Sequence, residues 1–280
     1  MWAIPPGDPA KVLGSKYCTR IGAQHLEQGR AAAQFRDGGS DIRALAVVAD
    51  GSVWGFGEGQ GSLALVRYSD GQLTEEHLLP SFQDYDPEEA LVPFAAVTTA
   101  AGDVWVGGGG WGPWSFLDDT DGFLARFDGE TWEAMHPIGH GTDPGVVALE
   151  ADPDGGLWAL MRTENESGDQ MPLLARFDGE AWTVYSTAEG VPGNAGSAMA
   201  VDPVGVVWLQ LVVDLEDGDM ADGAVASFDG QTWTRHLLGS AASNLAVAPD
   251  GTVFVAAKGP VNESNVVAIR PRAEVVETTD

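Results

Sequence analysis

The sequence predicts an all-β chain, a β-propeller of four-stranded antiparallel blades, on three observations. One nonapeptide recurs: Leu124 to Trp132 reads Leu-Ala-Arg-Phe-Asp-Gly-Glu-Thr-Trp, and Leu174 to Trp182 and Val225 to Trp233 repeat it closely, with a looser copy at Leu65 to Leu73. A second hairpin pattern precedes each copy and closes on Trp54, Trp105, Trp158, Trp208 and Phe254, at intervals of about 50 residues. Each unit thus holds two hairpins, and four strands at that period is the arithmetic of a propeller blade, whose radial packing protects sheet edges.

Asp-Gly between two β-prone runs predicts a tight two-residue turn, because such turns need φ > 0 and these residues tolerate it. Five blades follow, over 42–80, 94–140, 146–190, 196–240 and 243–280. Ala44, Ala95, Ala148, Ala198 and Asn244 stand at one repeat position, as suits an innermost strand where bulk does not fit. Seven of the ten tryptophans recur on second or fourth strands and read as packing between blades. Residues 1–40 do not match the repeat. They read as an irregular segment with either a helix over Gly22 to Phe35 or a strand at Ala31 to Phe35 that closes the ring. A degenerate sixth blade there, or a chain cut from a larger wheel, are the alternatives; residues 41–280 read as one propeller domain.

Composition narrows the partners. The formal charge is −28, from 42 acids against 14 bases, so nucleic acid and anionic membrane are poor partners, whereas a metal cation or a basic protein is attracted. Cys18 is the only cysteine, which excludes an internal disulfide. No apolar run reaches the length of a membrane span, and the first twenty residues lack the apolar core of a secretory signal.

The pattern Asp-Pro-Asp-Gly-Gly-Leu-Trp at Asp152 to Trp158, followed by Arg-Phe-Asp-Gly-Glu-Ala-Trp, resembles the two-component-regulator propeller repeats of bacterial sensor proteins. The resemblance covers residues 42 to 280. It implies binding of ligands or proteins, outside the cytoplasm if the chain belongs to a longer protein, and it brings no shared catalytic residues.

Chain order sorts the connections. Turns inside hairpins are short and fall at one end of each blade. The other connections are long and rich in acids and aromatics: Gln83 to Pro93 with Tyr85 and Asp86, Gly107 to Gly122, Arg162 to Gln170 with Glu164, and Asp214 to Gly223 with Asp217. Variable loops on a rigid scaffold are where binding concentrates. Trp111 and Trp114, in Gly-Gly-Gly-Gly-Trp-Gly-Pro-Trp, are not explained by the repeat; they either stack on a sugar or clamp a peptide, or fold back to seal the core. Asp118, Asp119 and Asp121 before Gly122 are the metal candidates, with calcium the fitting ion because it takes several hard oxygens from one turn. His77, His136 and His236 fall near the ends of fourth strands and read as structural.

The favoured function is therefore a non-enzymatic recognition or sensing propeller that takes a small molecule, a glycan or a protein on the acidic, aromatic loop end. The alternative is a metal-dependent enzyme, lactonase- or lyase-like, at the mouth of the axial channel, with Asn244 on its inner wall.

Overall fold

The computed structural model describes the backbone of residues 2–3, 24–27, 30–34, 41–59, 62–69, 72–77, 90–111, 122–138, 144–164, 170–193, 195–212, 224–238, 241–258 and 264–269. The side chains of residues 2–34, of 72–77 and of certain strand ends, Trp111 and Glu164 among them, lie outside that description. Two compact units make up the chain, Met1–Ala151 with Gly155–Val184, and Asp152–Asp154 with Tyr185–Asp280.

The first unit opens with a small antiparallel sheet of β1 (Trp2–Ala3), β2 (Gln24–Glu27) and β3 (Arg30–Gln34). Over 22–35 the structure therefore has two strands, not a helix. Gly29 falls in the turn between them, where a glycine poor in a helix interior is at home. Three four-stranded antiparallel blades follow, each in the order of its chain. They are β4–β7 (Asp41–Val47, Val53–Gly59, Ser62–Ser69, Gln72–His77), β8–β11 (Ala90–Thr98, Val104–Trp111, Gly122–Phe127, Trp132–Ala134) and β12–β15 (Gly145–Ala151, Leu157–Glu164, Gln170–Phe177, Trp182–Tyr185). The second unit holds β16–β19 (Ala195–Val201, Val207–Leu211, Ala224–Phe228, Trp233–Leu237) and β20–β22 (Ala241–Val247, Val253–Lys258, Ser264–Ile269). This last sheet has three strands; the fourth expected of it falls after Ile269, outside the described residues.

The tryptophans pack blade to blade, as the repeat requires. Trp54 of the first blade meets Phe127 and Trp132 of the second at ring-centroid distances of 5.1 and 5.6 Å, and Trp105 of the second meets Phe177 and Trp182 of the third at 5.4 and 6.0 Å. Edge-on contacts of this kind add to the area each ring buries. In the second unit Trp208 packs with Val225, Val253 and Val255. Phe254, in the same repeat position, is 40% exposed.

Arg67, Arg126 and Arg176 each lie over a tryptophan of the neighbouring strand, at 5.2, 5.7 and 5.6 Å from Trp54, Trp105 and Trp158. Arg126 also holds Asp103 at 2.8 Å, both side chains partly buried, whereas Arg67 and Asp50 are 3.7 Å apart and more exposed. Replacing Arg126 by Met should therefore cost about 1–2 kcal/mol in denaturant unfolding, because it strands a half-buried carboxylate. Arg67→Met should cost less. Equal losses would show that the ion pair adds nothing to the ring contact.

Both hairpin turns are more elaborate than Asp-Gly alone suggests. The first turn is a three-residue loop: the Val48 amide donates to the Ser52 carbonyl and the Gly51 amide to the Val48 carbonyl, both at 2.9 Å, with Gly51 at φ 85°. That is a type I turn closed by a left-handed glycine, and it recurs after Thr99, Asp202 and Ala248. In the second turn the two central residues are Gly129 and Glu130, so the Asp stands beside the turn and not in it. The Asp128 carboxylate accepts from the Glu130 and Thr131 amides at 2.8 Å, and Asp178 and Asp229 repeat the arrangement. These bonds to backbone amides hold all three carboxyls below the usual carboxylate range.

Candidate functional site

In each blade the first strand is an edge of its sheet. In the first unit β4 lies beside β8 and β8 beside β12; in the second β16 lies beside β20. These inner strands share a feature absent from the sequence reading, a β-bulge at one register position. Arg43, Phe94, Val147 and Ser243 are each the extra residue between two paired ones, and in β16 the irregularity spans Ala195 to Met199. A bulge re-aims the chain and reverses which face the next side chains take. Accordingly Ile42 packs with Val53 and Val66, while Ala44 and Ala46 join Trp54 and Phe56 in another cluster. Every bulge lies away from the short turns, on the side where the long connections enter.

The inner strands next to those bulges carry what the structure shows of a site. Phe94 is 37% exposed and Arg43 half-buried. Asn244 follows the bulge in β20 and is exposed; its Oδ1 accepts from the Leu245 amide at 2.8 Å, and the Ser243 hydroxyl donates to the Ala256 carbonyl at 3.0 Å. Gln210 is tied down, its Nε2 donating to the Ala242 carbonyl at 2.8 Å.

The glycine run before Trp111 is strand, not loop. β9 continues to Trp111, which pairs with Ala90, and Glu164 likewise ends β13 opposite Gln170. A Cβ on Gly107 would come within 2.7 Å of Val146, and one on Gly108 within 1.9 Å of the Val92 carbonyl oxygen. Close backbone approach, not flexibility, explains these glycines. Tyr85, Asp86, Trp114, Asp118, Asp119, Asp121 and Asp217 lie outside the described residues. Among the described residues no group of three His, Cys, Asp or Glu side chains is placed to hold a metal ion.

His236 departs from the expectation that the three rim histidines are equivalent. It stands third after its tryptophan, whereas His136 stands fourth after Trp132 and His77 fourth after Leu73, so its face is reversed. Its Nε2 is 2.8 Å from the Ser227 hydroxyl and its ring stacks on Trp208 at 4.9 Å. Ser227 occupies the place of the arginines, and His236 takes over their role above the ring. Burial pushes the imidazole below its ordinary range.

No family model and no curated protein sequence matches the chain. Solved structures do. YCF48 bound to D1 peptide superposes with a TM-score of 0.53 at 14% identity, covering 86% of this chain and 69% of that one. A gluconolactonase from Xanthomonas campestris gives 0.50 at 16%, with 85% and 75% covered. The extracellular domain of a protein assigned to the one-component systems of B. thetaiotaomicron gives 0.53 at 14%, with 85% and 29% covered. These neighbours are β-propellers.

The chain is a β-propeller. At such identities the likeness is one of fold, and the neighbouring propellers include both binding proteins and gluconolactonase-like enzymes. No described helix of this propeller is long and apolar enough to cross a membrane.

Proposed function

We propose that this propeller, read as one domain over residues 41–280, is a non-enzymatic recognition module. It takes a small ligand, a glycan or a protein on the end of the blades where the long connections lie. The observation that carries this reading is the contrast between the two ends. At the short-turn end Asp50, Asp128, Asp152, Asp178, Asp202, Asp229 and Asp250 accept backbone hydrogen bonds within their own turns. Those carboxylates are committed to the scaffold. At the other end the connection after β15 is also self-satisfied: Glu189 accepts from the Ser186 amide and hydroxyl in a capping box. The connections over 78–89, 112–121, 165–169 and 213–223 carry the remaining acids and the repeat-independent aromatic residues.

Trp111, Trp114, Tyr85, Asp86, Glu164, Asp217 and Asn244 are the proposed contact residues, and Asp118, Asp119 and Asp121 a proposed calcium-binding turn. Tryptophan fluorescence titrated with oligosaccharides, with peptides and with calcium tests both. Saturable binding by the wild type should weaken at least fivefold in Trp111→Ala and Trp114→Ala. Binding untouched by both changes would place the site elsewhere. Calcium should raise the melting temperature of the wild type but not of an Asp118→Asn/Asp121→Asn double variant.

The enzymatic alternative rests on Asn244, polar and exposed on an inner strand where the other four blades have alanine. Lactone hydrolysis that needs a divalent metal and is lost in Asn244→Ala would favour it over recognition.

A further inference from the structure

The bulge at Phe94 and the glycines of β9 create a feature that packing alone does not require. Phe94 is the extra residue of β8, between Pro93, paired with Gly108, and Ala95, paired with Gly107. Its ring is not absorbed into the core; it is 37% exposed, and its Cε2 lies 3.7 Å from where a Cβ on Gly109 would stand. The same point lies 3.6 Å from the Cα of Gly145, the first residue of the next inner strand. Two bare backbones therefore form a floor beside an exposed ring. Gly109 differs from Gly107 and Gly108 here, because a methyl group at 109 meets only ordinary contact distances. Its smallness is not forced by neighbouring atoms.

Side chains alternate along a strand, so position 111 shares the face of Gly109, two residues and about 7 Å further along β9. That separation equals two van der Waals contacts of about 3.5 Å each. It is the width of one flat ring held between two aromatic planes. We propose that Phe94 and Trp111 wall a slot, floored by Gly109 and Gly145, that takes a pyranose ring of a neutral glycan. The apolar face of a pyranose stacks on aromatic rings, and its hydroxyls are donors. The connection leaving Trp111 carries Asp118, Asp119 and Asp121, and carboxylates only accept. An acceptor-rich, base-poor surround suits a polyol better than a peptide, whose backbone brings as many acceptors as donors, or an anion.

This assignment rests on the recognition reading and names its ligand class. The test is intrinsic fluorescence and saturation-transfer NMR with a panel of methyl pyranosides and neutral oligosaccharides, beside a random peptide panel. The proteins are the wild type, Phe94→Ala, Phe94→Leu, Phe94→Tyr and Gly109→Ala. At least one sugar should bind saturably. Phe94→Ala and Phe94→Leu should weaken it roughly tenfold, the worth of one aromatic stack, and Phe94→Tyr should restore it. Gly109→Ala, whose methyl fits the fold but stands on the floor of the slot, should weaken it as well, with melting unchanged. Sugar binding indifferent to Phe94 and Gly109 overturns the slot while recognition stands. Binding of peptides and of no sugar overturns the glycan assignment and again leaves recognition standing. Binding of nothing on either panel overturns both.

Discussion

Gly108→Ala should unfold the second blade at a cost of at least about 3 kcal/mol, while Gly109→Ala, one residue on, should leave stability within about 1 kcal/mol of the wild type. The contrast follows from what a single Cβ would meet. At Gly108 it stands 1.9 Å from the Val92 carbonyl oxygen and 2.8 Å from Phe123 Cε1. The first contact is with backbone, which no rotamer change relieves. To admit the methyl, β8 must move off β9, and with it go Val92 and Phe123, both wholly buried. At Gly109 the nearest atoms are 3.6 and 3.7 Å away, ordinary contact. There the alanine also lowers the entropy of the unfolded chain, which offsets small repacking losses. Gly122→Ala belongs with Gly108, since its Cβ falls 2.0 Å from the Pro144 carbonyl oxygen. Thermal melts read the difference directly: a 3 kcal/mol loss lowers the midpoint by about 6–12 °C in a domain of this size. Similar melts for the two variants would mean that β8 and β9 are not held so close, and the strand assignment of Gly107 to Trp111 would fall with it.

That strand shows where the sequence is legible and where it is not. The blades are readable because the same turn and the same tryptophan return about every 50 residues, and repetition averages out local ambiguity. Four glycines in a row carry no such signal. Taken alone they read as a flexible loop, and only the approach of Val92 and Val146 makes them a strand. The turn centres were displaced for a related reason: Asp-Gly marks the place, but which residue takes φ > 0 depends on where the ladder stops. Phe94 was missed because a phenylalanine in an apolar run reads as core. Pro93 was the available hint, since a proline within a strand pattern points to an edge or a bulge. His236 was misassigned by one place, and in a strand one place is the opposite face. Of the proposed contact residues, Asn244 alone has its side chain described; the long connections that carry most of the others lie beyond what the repeat can position.

Glu150→Gln should stabilise the protein above neutral pH and leave it unchanged near pH 4. Glu150 sits on inner strand β12 opposite Trp158, two places after Ala148; the equivalent residues of the other blades are Ala46, Val97, Ala200 and Ala246. An ionisable group has thus replaced a small apolar one, and burial raises its carboxyl from 4.5 to about 7. Between those values the folded chain holds a proton that the unfolded chain has released. Stability therefore falls as pH rises from about 4.5 through 7 and levels off above. A displacement of this size corresponds to about 3 kcal/mol, which glutamine, neutral at every pH, does not lose. The many other carboxylates of this acidic chain titrate in wild type and variant alike, so the informative quantity is the difference between their unfolding free energies across pH. It should open from near zero at pH 4 to about 3 kcal/mol at pH 8, with its midpoint between the two pKa values. A difference that stays constant across that range would mean that Glu150 ionises in the folded protein as freely as in water, and that β12 is open to solvent at this position.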